Sequence, residues 1–224
     1  MKNDNIQTVI FDMDGTLIDT EVIYQKYWYQ ASQELGYSLT REDFLEFRSL
    51  GHSFAYELME KKTGRGEDYQ IIRRRRKELM DPLMEDLPIK LKKGAYDALS
   101  KLKDDHFTLA IATATGKEKT EKYLERAGIR RFFDDIICAA MVQYGKPAPD
   151  IYLYACDRLG VSPANTYAVE DAPNGVKSAY AAGCNTIMVP DMTEPDKAIL
   201  PLLTYKGTDL TDVAAFIVAN SIQM

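Results

Sequence analysis

The chain has 224 residues, 46% hydrophobic and 28% charged, which suits one sizeable domain, or a core domain carrying a smaller one, around a real apolar interior. Its formal net charge of −6 argues against nucleic acid as a partner, since that affinity rests on clustered Lys and Arg, and two His leave little for a histidine-rich zinc site. Cys138, Cys156 and Cys184 are widely spaced and read as buried thiols of a reducing compartment, not as a disulfide frame. The first six residues hold no apolar signal core, and no stretch approaches the ~20 apolar residues of a membrane span, so a cytoplasmic protein without membrane contact is expected.

Residues 8–11, Thr-Val-Ile-Phe, form a β-branched and aromatic run that ends at the turn signal Asp14-Gly15 and predicts a buried strand. From about 20 to 88 the character is helical throughout. Tyr24, Tyr27, Trp28 and Ala31 recur at helical spacing, and Gly36, Gly51, Gly64-Arg65-Gly66 and Pro88 cut the segment into four helices. Beyond Gly94 helices and strands alternate. Helices are expected over 95–103, 118–127, 150–159, 174–182 and 210–218, and strands over 108–112, 135–139, 167–169 and 186–189. Nearly all-apolar strands between helices indicate a doubly wound parallel α/β sheet, made from 1–18 and 90–224, with a helical cap domain at 19–89 inserted after the first strand.

Chemically suggestive residues collect at the ends of these strands, where open α/β sheets bind ligands. Asp12-Met13-Asp14-Gly15-Thr16 places two carboxylates in a loop that unwinds at Gly15, so both can converge on one point. Like charges so placed call for a cation, and oxygen ligands favour magnesium. The competing reading is an acidic turn capping a helix. Thr113 offers a hydroxyl and neighbouring amides where a helix begins, suited to a phosphoryl oxygen, although a threonine there often serves only as an N-cap. Lys146, in Gly145-Lys146-Pro147-Ala148-Pro149-Asp150, could neutralise a nucleophilic carboxylate and an incoming phosphate, or be a solvated loop lysine. Glu170-Asp171 ends an apolar strand before a helix start, fitting either metal ligation or complementarity to the helix dipole.

Taken in order, Asp12, Asp14, Thr113, Lys146, Glu170 and Asp171 resemble the four motifs of the haloacid dehalogenase superfamily, over essentially the whole chain. The insertion directly after the first motif is similar to that superfamily's first cap class, and Lys-Pro-Ala-Pro-Asp-Ile-Tyr resembles the β-phosphoglucomutase-like branch. The resemblance implies that Asp12 attacks phosphorus and that Asp14 acts as acid and then base. It further implies magnesium held by Asp12, the backbone carbonyl of Asp14 and Asp171, with Glu170 as a ligand or just behind one. Gly15, Thr113, Ala114, Thr115 and Lys146 would meet the phosphoryl group. Dehalogenases and phosphonatases of the superfamily lack an acid at the position of Asp14, so P–O chemistry is expected: a phosphatase acting on a small phosphorylated metabolite, plausibly a sugar phosphate.

In the cap, Tyr24, Arg48, His52 and Phe54 are candidate readers of the leaving group, against a competing reading of Tyr24 as cap core. β-Phosphoglucomutase has a histidine at the position of Tyr24 and a phosphate-gripping arginine at that of Phe54. A sugar phosphomutase is therefore the alternative to simple hydrolysis, with Arg48 as a substitute grip. A catalytically silent scaffold stands further back, because an unused carboxylate cluster is costly without its metal. The run Arg73-Arg74-Arg75-Arg76 reads first as a solvated cap helix with Glu67, Asp68 and Glu78 nearby; secondarily, one or two of its side chains could face the site and steer anionic substrates, which salt effects on the KM of Arg75→Gln would test. Separate buried faces on cap and core make a monomer the expectation.

Overall fold

Six parallel strands run in the order β3-β2-β1-β4-β5-β6 through the middle of the protein, a computed structural model that describes residues 7–221. The outermost parts of the expected core, 1–6 and 222–224, lie outside the described residues. The strands are β1 (Thr8–Phe11), β2 (Thr108–Thr113), β3 (Asp135–Cys138), β4 (Thr166–Glu170), β5 (Asn185–Met188) and β6 (Tyr205–Lys206). Side chains alternate between the two faces. Val9, Phe11, Leu109, Ile111, Tyr167 and Val169 join one buried cluster, and Ile10, Ala110, Ala112 and Ala168 join another on the opposite face. Helices α5 (Ala95–Asp104), α6 (Lys117–Arg126) and α9 (Leu210–Ser221) supply apolar residues to the first cluster. Helix α7 (Asp150–Leu159) and helix α8 (Pro173–Ala181) cover the second. With both faces covered, continuous apolar strands are what the sheet requires.

Four helices stand between β1 and α5 in the chain: α1 (Glu21–Glu34), α2 (Arg41–Leu45), α3 (His52–Thr63) and α4 (Asp68–Asp86). Their own centre is aromatic. Trp28 stacks on Phe44, Phe47 and Tyr69 at ring separations of 5.7, 6.5 and 5.5 Å. The two chain segments entering and leaving this helical unit pair with each other. Asp19 N–H donates to the Lys90 carbonyl at 2.8 Å and Lys92 N–H to the Leu17 carbonyl at 2.9 Å, on either side of an Ile18–Leu91 bridge. Both connections are thus tied at one place beside the end of β1.

Differences from the expected elements are mostly of one or two residues. β4 extends through Glu170, so this acid is the last residue of the strand and not the first beyond it. β3 stops at Cys138 because Ala139–Met141 turns into a 3-10 helix. β6 has no counterpart in the sequence reading. It is two residues long, and only its pairing with Ile187 and Met188 makes it a strand.

β1 sits centrally, with β2 on one side and β4 on the other; Phe11 lies level with both Ile111 and Val169. The chain winds outward through β2 and β3, then returns to the far side of β1 for β4, so the carboxyl end of β1 is the topological switch point. The fully buried Ile10 anchors this centre. Ile10→Ala should cost about 2–5 kcal/mol, read as a lower urea midpoint with an unchanged slope; a loss below ~1 kcal/mol would show that the β1 environment collapses onto the cavity.

Candidate active site

Asp12 is the first residue past β1 and only 2% exposed. Its backbone N–H still donates to the Val169 carbonyl at 2.9 Å, so the carboxylate is aimed by the sheet itself. Lys146 reaches it from the loop between β3 and α7. Its buried ammonium lies 2.5 Å from Asp12 Oδ1 and 2.6 Å from Glu170 Oε1, and donates to the Ala112 carbonyl at 2.9 Å. Glu170 also accepts a hydrogen bond from the Tyr152 hydroxyl. Burial pulls the Lys146 pKa down, but Asp12 and Glu170 outweigh it and hold the ammonium above its usual range.

One carboxylate oxygen each from Asp12, Glu170 and Asp171 falls within 4.8 Å of the others. All three acids are buried, and Asp12 Oδ2 and Glu170 Oε2 have no hydrogen-bond partner. Burial raises the Asp12 carboxyl well above its ordinary value, Lys146 opposes this, and Glu170 and Asp171 add to it. Asp171 is likewise pushed up by burial, against the pull of Arg48. Orphaned buried oxygens in an acid cluster, all hard donors, fit a hard divalent cation. Gly15 makes the approach possible: at φ +86° a Cβ would stand 2.3 Å from Asp171 Oδ2.

Asp14 faces elsewhere. Its Oδ1 accepts from the Thr20 hydroxyl at 2.6 Å and its Oδ2 from the Thr115 hydroxyl at 2.7 Å, on the wall of a large cavity above Asp12. The Asp14 side chain is therefore not part of the three-acid group, contrary to the expectation that its carboxylate converges there with Asp12. Thr113, 1% exposed at the end of β2, accepts the Thr115 N–H at 3.0 Å. Thr113, Ala114 and Thr115 line the cavity with Asp12. Gly15 does not line it. Its N–H is engaged with the Ile18 carbonyl at 2.9 Å, so the expected substrate contact is replaced by the steric role toward Asp171.

The cavity measures about 1070 Å³ and lies between the strand ends and the helical unit. Tyr24 and His52 line it, as their candidacy requires. Tyr24 is also 8% exposed and belongs to the main buried apolar cluster, as the competing reading of it as core requires. The His52 ring packs on Tyr56 and Tyr69, and Gln70 approaches its Nε2. Phe54 lies outside the cavity, in a separate groove with Leu58, Pro147 and Asn174. Arg48 lines the cavity but is not free to grip a substrate. Its guanidinium pairs with Asp171 and donates to the Thr193 hydroxyl at 3.1 Å, with Glu21 at 3.6 Å and Asp191 at 3.8 Å. The correction has a physical reason: a buried guanidinium seeks the densest local negative charge. Arg75 pairs with Glu34 at 2.7 Å and Glu78 at 3.0 Å and lies outside the cavity lining, whereas Arg73 and Arg76 line it. The side chains of the run that face the cavity are therefore those two and not Arg75.

Glu21, Gln25 and Asp191 were missed by the sequence reading. Glu21 and Gln25 line the cavity on the same face of α1 as Tyr24 and Trp28, so an i, i+3, i+4, i+7 count could have found them. Asp191 lies three residues beyond the end of β5, close to the strand-end position that exposed the other acids; its Oδ1 accepts from Lys92 at 2.7 Å.

Residues 9–189 match the haloacid dehalogenase-like hydrolase family, and the chain belongs to it. It is an enzyme of the hydrolase type found in that family, and its relatives include phosphatases. It is 30% identical over 188 residues to the fructose-1-phosphate phosphatase YqaB of Escherichia coli (strain K12), a match covering 81% of this chain and 95% of that one. The structure of CbbY from Rhodobacter sphaeroides in complex with xylulose-(1,5)bisphosphate is similar at a TM-score of 0.74 and 27% identity, over 92% of this chain and 96% of that one. β-Phosphoglucomutase from Clostridium difficile shares the fold at a TM-score of 0.81 and 18% identity, over 96% of both chains.

Helix α3 begins against the Lys146 loop. Gly51 N–H donates to the Lys146 carbonyl at 2.6 Å, and a Cβ on Gly51 would sit 2.7 Å from Gly145 Cα. Asn174 of α8 also donates to the Glu46 and Arg48 carbonyls at 3.0 and 2.9 Å. Gly51 has φ −64°, so alanine fits its backbone and the cost of Gly51→Ala is the wedge alone. The variant should melt within a few degrees of wild type yet lose about tenfold in kcat/KM for hydrolysis. Unchanged kinetics would mean this contact opens freely during turnover.

Proposed function

We propose that the chain is a magnesium-dependent phosphatase that hydrolyses the phosphomonoester of a small sugar-like metabolite through an aspartyl-phosphate on Asp12. The observation that carries this reading is the buried Asp12 carboxylate, neutralised on one oxygen by Lys146, open to the cavity, and set beside two further acids. A carboxylate oxygen of Asp12 attacks phosphorus while the bond from phosphorus to the leaving oxygen breaks. Asp14, in its protonated form, gives its proton to that oxygen. The product alcohol leaves, Asp14 takes a proton from water, and the resulting hydroxide attacks phosphorus, cleaving the bond to Asp12 and releasing inorganic phosphate. The Thr20 and Thr115 hydroxyls suit both states of Asp14, since a hydroxyl can turn from donor to acceptor.

Lys146 and the Thr113 hydroxyl offset the charge spread over the phosphoryl oxygens. Asp12, Glu170, Asp171 and the Asp14 carbonyl would hold magnesium, whose charge neutralises the acid cluster and the substrate phosphate together. The helical unit closes over this centre and excludes water from it, with the paired segments at Ile18 and Leu91 as its hinge. The fructose-1-phosphate phosphatase and the CbbY complex support a phosphorylated sugar as substrate. Hydrolysis is favoured over a phosphomutase because Phe54 lies outside the cavity and Arg48 is engaged with Asp171.

Phosphate release should appear with at least one member of a panel of sugar phosphates and an aryl phosphate, only with magnesium. It should fall by about 10³-fold or more in Asp12→Asn and about 10²–10⁴-fold in Asp14→Asn. Interconversion of hexose phosphates upon adding a bisphosphate, without net release, would replace hydrolase by mutase. No reaction in either format would favour a silent scaffold.

A further inference from the structure

Asp171 differs from the other two acids of the cluster in having both oxygens engaged. Its Oδ1 accepts from the Thr16 hydroxyl at 3.3 Å and its Oδ2 meets the Arg48 guanidinium, whereas Asp12 Oδ2 and Glu170 Oε2 have no partner among the described residues. Arg48 comes from the helical unit, in the turn between α2 and α3, and is buried. Its guanidinium stands among three carboxylates yet bonds to only one. Glu21 Oε1 lies 3.6 Å from its Nε, and Asp191 Oδ2 lies 3.8 Å from its Nη2, the nitrogen that meets Asp171. Both near misses involve orphaned atoms. Among the described residues, Arg48 Nε is buried without an acceptor and Asp191 Oδ2 is buried without a donor, since Lys92 takes only Asp191 Oδ1. Unmet buried polar atoms are costly. A turn of the guanidinium away from Asp171 brings these donors and acceptors together, so a second arrangement is already built around the first.

A guanidinium and a divalent cation on one buried carboxylate repel each other. The arginine cannot simply let go, because a buried charge stripped of its partner is strongly destabilising. We propose that Arg48 is a positioning residue of the metal site with two stations: its guanidinium holds Asp171 Oδ2 until a divalent cation takes that carboxylate, and then turns onto Asp191 Oδ2 and Glu21. This rests on Asp12, Glu170 and Asp171 being the acids that hold magnesium. Thr193, two residues beyond Asp191, accepts from Arg48 Nη1 at 3.1 Å and keeps one end of the guanidinium fork anchored on the core side. In both stations the arginine stays among acids, so it is never released to grip substrate. Coupling of this kind is reciprocal. Whatever draws Arg48 off Asp171, including displacement of the helical unit, tightens magnesium, and magnesium weakens the Arg48–Asp171 pair. The helical unit thereby sets part of the metal affinity of the core.

The test needs magnesium alone and no turnover. Full-length protein, stripped with a chelator, is titrated with magnesium in a calorimeter. Arg48→Gln should bind the ion about tenfold or more tightly than wild type, and Arg48→Lys, which keeps the charge, should return most of the way to wild-type affinity. In parallel, the Arg48 Nε–H resonance of nitrogen-15-labelled wild type is followed by NMR, identified by its loss in Arg48→Lys. It should move downfield as magnesium is added, because this N–H gains a carboxylate acceptor, and the movement should shrink in Glu21→Gln. The wild-type resonance decides if Arg48→Gln does not fold. Equal or weaker magnesium binding by Arg48→Gln, tightening as large in Arg48→Lys, or a resonance unmoved at saturating magnesium would overturn the two-station arginine while leaving the metal site in place. Wild type and variants that all fail to bind magnesium would overturn the metal site itself, and the exchange with it.

Discussion

Everything at this site depends on one buried ion cluster, the Lys146 ammonium locked between the Asp12 and Glu170 carboxylates at the end of β1. Desolvating such charges is costly, and mutual attraction repays the cost only when the geometry is tight and the remaining lone pairs are met. The sheet supplies that geometry. Asp12 and Glu170 stand at the ends of neighbouring strands whose register is fixed by Phe11 and Val169, and the Ala112 carbonyl of the strand on the other side accepts from the same ammonium. The lone pairs are met only in part, since Asp12 Oδ2 and Glu170 Oε2 have no hydrogen-bond partner.

The helical unit is coupled to this cluster by charge as well as by shape. Arg48 crosses from it to Asp171, Asn174 holds the Arg48 carbonyl from the core side, and Gly51 rests on the Lys146 loop. The cavity so enclosed is electrically polarised, with Asp12 and Asp14 on one side and Arg73, Arg76, Lys77, Lys117 and Lys119 also in its lining. Such polarity orients a ligand before any shape-specific contact forms.

Much of this was legible in the amino-acid sequence. The apolar strands announced themselves because a parallel sheet covered on both faces leaves no polar position to confuse the pattern. The acids then stood out as abrupt changes at strand ends. What stayed hidden was orientation. Asp12 and Asp14 look equivalent in sequence, yet one points into the acid cluster and the other to two threonine hydroxyls. Arg48 looked like a reader of substrate and proved to be a partner of Asp171, because the acid it meets is 123 positions away. Four consecutive arginines surround a helix, so only packing could separate Arg75, with its two glutamates, from Arg76 with none. β6 was too short to leave a pattern at all.

The central claim is that Asp12 becomes covalently phosphorylated. The most direct measurement is rapid acid quench of enzyme with a hydrolysed substrate and magnesium, followed by intact-mass and peptide analysis. Asp14→Asn is used to slow the breakdown step. The account predicts one added phosphoryl group, labile to hydroxylamine and confined to the peptide that carries Asp12. Substrate turnover through quenched time points that never show this adduct, or an adduct on any other residue, would contradict it.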